Sequence, residues 1–83
     1  MTADEFNEKY KDYLVKGHYG LDIQDLGVVK YLDKQFEKFT KIKGFRYYQI
    51  KLKFGSCRFY CDGLSSVEMG RVEDNVNTII SST

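Results

Sequence analysis

Apolar side chains recur at Phe6, Tyr10, Tyr13 and Leu14, three and four positions apart, directly behind a Thr2-Ala-Asp-Glu5 segment with capping-box spacing. The pattern predicts a first helix running to about Lys16. Gly17 is placed to end it, because glycine takes the left-handed C′ conformation without steric cost. A connection from Gly17 to Gln24 follows. The helical spacing returns at Leu26, Val29, Leu32, Phe36 and Phe39, so a second helix is expected, with Asp25 as its N-cap and Asp22 as the competing position. Lys30, Asp33, Lys34, Glu37 and Lys38 form its solvated side, and Gly44 marks the exit. A third helix is predicted behind Ser65-Ser-Val-Glu68, with Met69, Val72, Val76, Ile79 and Ile80 as its buried stripe. Arg71, Asp74, Asn75 and Asn77 would face water.

Between the second and third helices the period changes to two. The stretch from Phe45 to Asp62, FRYYQIKLKFGSCRFYCD, holds two runs of aromatic and aliphatic residues around Gly55-Ser56, a loop whose leading glycine suits a type II′ hairpin turn. Strands are expected over 45–54 and 57–62. With Phe54 opposite Cys57, Leu52 meets Phe59 and Ile50 meets Cys61, and these six side chains form the core face. The other face then carries Phe45, Tyr47, Gln49, Lys51, Lys53, Arg58 and Tyr60. The element order α-α-β-β-α predicts a small two-layer α+β domain, an antiparallel β-hairpin covered on one face by three amphipathic helices. Both hairpin edges are open in this arrangement, which makes edge-to-edge homodimerisation an expected mode of self-association.

Length and composition narrow the class. Eighty-three residues make a single domain, 1–83, and a hydrophobic fraction of 42% is that of a folded globular chain. No stretch approaches the ~20 apolar residues of a membrane span, and no export signal is visible, so a cytoplasmic protein is expected. Cys57 and Cys61 stand four apart on one strand, roughly 13 Å between Cα atoms, beyond the reach of a disulfide. Two unpaired cysteines fit a reducing compartment.

Net charge is +1, but it is unevenly spread. Residues 1–37 hold eight acids and five lysines, a balance of −3; residues 62–83 hold four acids and Arg71, again −3. Residues 38–61 hold seven bases and no acid, a balance of +7. Such a pole selects an anionic partner.

Catalytic chemistry has little to draw on: there is one histidine, His18, and no nucleophile–base spacing, phosphate loop or dinucleotide fingerprint. No enzyme, cofactor or metal is expected; the two cysteine sulfurs are too far apart on their strand to share a zinc ion.

Two fragments resemble RNA-binding families. Lys43-Gly-Phe-Arg-Tyr-Tyr-Gln-Ile50 resembles the RNP1 octapeptide of RNA-recognition motifs at Lys43, Gly44, Phe45 and Tyr47, and departs from it at Arg46, Tyr48 and Ile50. The resemblance implies that Phe45 and Tyr47 stack on bases, although the βαββαβ order of that family is absent from the predicted elements. Val15-Lys-Gly-His-Tyr-Gly-Leu-Asp-Ile23 resembles the GXXG loop of KH domains, with His18 and Tyr19 in place of the basic central pair. The chain also resembles small uncharacterised proteins encoded by phages and prophages, through VVKYLDKQFEKF and YYQIKLKFGSCRFYC. That likeness implies inhibition of a bacterial defence complex or sequestration of a signalling nucleotide.

Aromatic rings interleaved with cations on a strand face therefore define the expected site. Tyr47, Tyr60 and Phe45 would stack on the bases of a nucleic acid or nucleotide, while Arg46, Lys51, Lys53 and Arg58 contact phosphate. His18 and Tyr19 form a secondary loop candidate. The alternative is a protein-interaction module that presents the same residues to an acidic protein surface.

Overall fold

The computed structural model describes residues 1–82. Its elements are α1 (Ala3–Lys9), a 3₁₀ turn (Lys11–Tyr13), β1 (Gly20–Asp22), α2 (Leu26–Phe39), β2 (Arg46–Lys53), β3 (Ser56–Asp62) and α3 (Ser66–Ser81). The domain is α+β, with three helices and a three-stranded mixed sheet of order β1-β2-β3, β1 parallel and β3 antiparallel to β2.

The helix starts are those the capping residues predict. Thr2 and Glu5 exchange both capping-box hydrogen bonds, Asp25 accepts from the Val28 amide, and Ser65 accepts from the Glu68 amide. α1 stops short of Lys16, however. The chain leaves the helix at Tyr10, and the Val15 amide donates to the Tyr47 carbonyl, which draws this segment alongside β2. The connection expected over 17–24 contains β1, whose three residues are too few for a periodicity signal; buried Leu21 and Ile23 anchor it. In α2 the buried side begins at Val28 and Val29, while Leu26 is exposed.

The hairpin differs from expectation in its turn and its register. Phe54 (φ 54) and Gly55 (φ 77) are the two central residues of the loop, the positive-φ pair of a type I′ turn. Lys53 therefore pairs with Ser56, Leu52 with Cys57, Lys51 with Arg58, and Ile50 with Phe59. Phe54 lies in the turn and not on the core face; a left-handed conformation at a residue other than glycine costs it about 1 kcal/mol. Between the Gln49–Tyr60 and Tyr47–Cys61 pairs the register slips, leaving Tyr48 as the extra residue of a β-bulge.

That bulge reverses the expected faces for the first part of β2. Phe45 and Tyr47, expected on the open face, are completely buried, because one extra residue brings their odd positions onto the same side as Ile50. Their rings surround Phe36 of α2, which has Tyr47 at 4.9 Å and Phe45 at 5.2 Å between centroids, with Phe6 of α1 at 4.8 Å. These edge-on contacts form the centre of one core that also takes in Val72 and Val76 of α3.

Helix side chains close both sheet edges. On the β1 side, Asn7 of α1 imitates a strand: its Oδ1 accepts from the Leu21 amide at 2.8 Å and its Nδ2 donates to the Leu21 carbonyl at 3.0 Å. The same Oδ1 accepts from the Tyr47 hydroxyl at 3.2 Å. A Cβ on Gly20 would stand 2.4 Å from Asn7 Oδ1, so the side chain reaches the strand only over a glycine. On the β3 side, Asn77 and Glu73, one turn apart on α3, accept from the Cys57 and Phe59 amides at 2.7 and 2.8 Å. Asn75 donates to the Tyr31 hydroxyl, so neither it nor Asn77 merely faces water. The hairpin edges expected to be open for a second copy are thus occupied, one by β1 and the other by α3.

Two outcomes follow from these contacts. Asn7→Ala removes three hydrogen bonds and leaves the Leu21 backbone groups unpaired, so urea unfolding should report a loss of about 2–3 kcal/mol. The second concerns alkaline pH. Burial pushes Tyr47 and Cys57 up to about 12, against ordinary values of 10.0 and 9.0. The unfolded chain ionises first, so this part of the stability is complete below pH 9 and is lost as pH rises towards 12. Chemical unfolding midpoints measured from pH 8 to 11 should fall with pH, and Cys57→Ala should reduce the first part of that fall; Cys61, also pushed up to about 12, contributes the rest of it.

Candidate functional site

All three helices contribute to the core on one side of the sheet, and the other side carries the residues that the core does not take. Three successive outward pairs of the hairpin are Gln49 with Tyr60, Lys51 with Arg58, and Lys53 with Ser56. At roughly 3.3 Å per residue, neighbouring outward pairs stand about 7 Å apart along the strands. Lys51 and Arg58 are thus like charges placed directly opposite each other, an arrangement unfavourable to folding. Among the described residues the ion pairs are Lys9–Asp33, Lys11–Glu8 and Arg71–Glu68, and none involves Lys51, Lys53 or Arg58. Tyr60 is 47% exposed beside them.

An open groove of about 840 Å³ adjoins Tyr60 and is lined also by His18, Tyr48, Gln49, Lys51, Asp62 and Glu73. The bulge forms part of its wall. It turns Tyr48 out of the core, where the hydroxyl donates to Asp62 Oδ2 and the ring meets His18 nearly perpendicularly at 4.9 Å between centroids. The hydrogen bond to Asp62 raises the Tyr48 pKa above its usual value, so the phenol remains a neutral donor. Cys61 also lines the groove; burial, with Asp62 and Glu73 nearby, pushes its thiol up to about 12. A thiol so poised is a poor nucleophile near neutrality. Both cysteines are free, and the described residues include no group of three or more histidine, cysteine or acidic side chains suited to a metal ion.

The residues singled out in the sequence fall into separate places. Lys51, Lys53, Arg58 and Tyr60 share the open face. Phe45 and Tyr47 belong to the core and cannot stack on a ligand. Arg46 is exposed but lies at the far end of β2, its guanidinium donating to the Phe45 carbonyl and standing 5.9 Å from the Tyr13 ring centroid. His18 joins the groove, whereas Tyr19, 77% exposed, lines a smaller depression of about 460 Å³ with Asp4, Asn7 and Asp22.

Two exposed or partly exposed rings escaped the sequence reading. Tyr48 was masked by the assumption of a regular strand, although the apolar positions 45, 47, 50 and 52 already change parity between 47 and 50. Phe54 was assigned to the core; it is 92% exposed at the hairpin tip, with Lys53 Nζ 5.7 Å from its ring centroid. Among the described residues no helix is long and apolar enough to cross a membrane. No protein-family model, curated protein or solved structure matches the chain.

Proposed function

We propose that this is a non-enzymatic binding domain whose open sheet face holds nucleic acid or a nucleotide. The observation that carries the reading is the Lys51–Arg58 pair, opposed across the hairpin with no carboxylate partner among the described residues and flanked by exposed Tyr60. Like charges held together on an uncovered face are compensated when an external anion binds there. Tyr60 supplies a stacking surface, Lys51, Arg58 and Lys53 contact phosphate, and the Tyr48–His18 groove receives an adjoining base. Phe45 and Tyr47 have no direct role in this reading. Two free thiols are in keeping with a cytoplasmic setting.

A second reading has its own support. The free ring of Phe54 at the hairpin tip also suits a pocket on a protein partner, with the neighbouring cations meeting an acidic rim. A protein-interaction module of this kind, such as a phage-type inhibitor of a host defence complex, would use Phe54 and Tyr60 as anchors.

Amide NMR titration with a mixed single-stranded oligonucleotide and a panel of nucleotides, at low and physiological salt, separates the two. Nucleic-acid binding should shift resonances of 49–60 and weaken with salt. Lys51→Ala and Arg58→Ala should each reduce affinity about fivefold whatever the base sequence and lower the salt slope by about one, while leaving the fold intact. Unchanged spectra with every ligand at both salt concentrations would exclude the nucleic-acid reading and leave the protein partner.

A further inference from the structure

The open face has stacking surfaces at both of its ends, which bears on the length of the ligand. Tyr60 and the Tyr48–His18 groove lie at one end, opposite and beside Gln49. Phe54 lies at the other. Lys53, an outward residue of β2, has its Nζ 5.7 Å from the Phe54 ring centroid, so the ring adjoins the cations of the open face. Between the two ends stand the cations Lys51, Arg58 and Lys53, so the order along the hairpin is ring, cation pair, cation, ring. From the Gln49–Tyr60 pair to the Lys53–Ser56 pair is four residues of strand, about 13 Å at ~3.3 Å per residue, and Phe54 extends beyond it.

Phe54 contributes nothing to the core to offset its conformation. It occupies a type I′ turn position suited to Asn, Asp or Gly, at φ 54, with 92% of its surface in water. A ligand whose chemistry matches the whole series must alternate flat faces with anionic groups over that distance. Building on the proposed nucleic-acid reading, we infer that the ligand is a single strand of about four nucleotides or more, stacked on Tyr60 at one end and on Phe54 at the other, its intervening phosphates held by Lys51, Arg58 and Lys53. Stacked bases rise about 3.4 Å per nucleotide along a strand, so roughly four bridge the two rings. A mononucleotide reaches one ring only. A duplex offers neither ring the face of an unpaired base.

The test is a length series of oligothymidylates of one, two, four and eight nucleotides, together with a twelve-base-pair duplex, against wild type and Phe54→Asn. Asparagine suits the turn, so the variant should unfold at the same or a higher urea concentration than wild type. Affinity should rise at least tenfold from two to four nucleotides and little further beyond the gain from overlapping registers. Phe54→Asn should lose about tenfold for the four-nucleotide strand and at most about twofold for the dinucleotide, which can use either ring. Equal affinity for one and four nucleotides, a duplex bound as tightly as the single strand, or a Phe54→Asn protein that binds four nucleotides as wild type does, would each overturn this inference while leaving the open face as a binding site. Absence of binding at every length would overturn the nucleic-acid reading with it.

Discussion

The central strand must turn Phe45 and Tyr47 near its start and Ile50 further along towards the same side, and a regular strand cannot do this because odd and even positions face opposite ways. The bulge at Tyr48 supplies the missing residue. With it, both rings reach Phe36, and the Tyr47 hydroxyl reaches Asn7, which in turn holds β1. Without it, either the aromatic core or the aliphatic end of the hairpin would face water. The bulge also fixes the other side of the sheet, since it sends Tyr48 out to His18 and Asp62 while Gln49, Lys51 and Lys53 keep their outward alternation.

A three-stranded sheet has two edges open to pairing with another strand, and in this chain side chains of the helices already packed on the core bond to both. Asn7, Glu73 and Asn77 each face the sheet edge from a helix whose neighbouring positions carry core residues, Phe6 on α1 and Val72 and Val76 on α3. One helix therefore both covers apolar surface and closes a ladder. With one face and both edges occupied in this way, the second face is the part of the sheet that the helices leave uncovered.

Much of this could be read from the sequence where a local rule acts alone. The caps at Thr2, Asp25 and Ser65 depend on a few neighbouring residues, and the stripe from Val29 to Phe39 depends on one period; both kinds of signal lead to the observed helices. The outward positions of Lys51, Lys53, Arg58 and Tyr60 were legible for the same reason, because β3 and the adjoining half of β2 alternate regularly. Features that depend on distant residues were not. β1 exists because β2 and Asn7 pair with it on its two sides, and three residues carry no period of their own. The turn lies at Phe54-Gly55 because the paired strands fix its position, against the ordinary preference of Phe for negative φ. The same long-range pairing separates Phe45 and Tyr47 from the cations they adjoin in sequence.

In most of the molecule, propensity, capping, packing and edge closure agree, and such agreement is what makes a sequence specify one fold. The hairpin departs from it twice. Lys51 stands directly opposite Arg58, and Phe54 takes a glycine-like conformation with its ring in solvent. Among the described residues no carboxylate pairs with Lys51 or Arg58, and Phe54 has only the Lys53 ammonium near its ring; the two departures lie within a few residues of each other on the same two strands and their turn. Local exceptions gathered on a surface that folding leaves uncovered are what the proposed binding role would require of that surface, since strain that packing does not explain concentrates at functional sites.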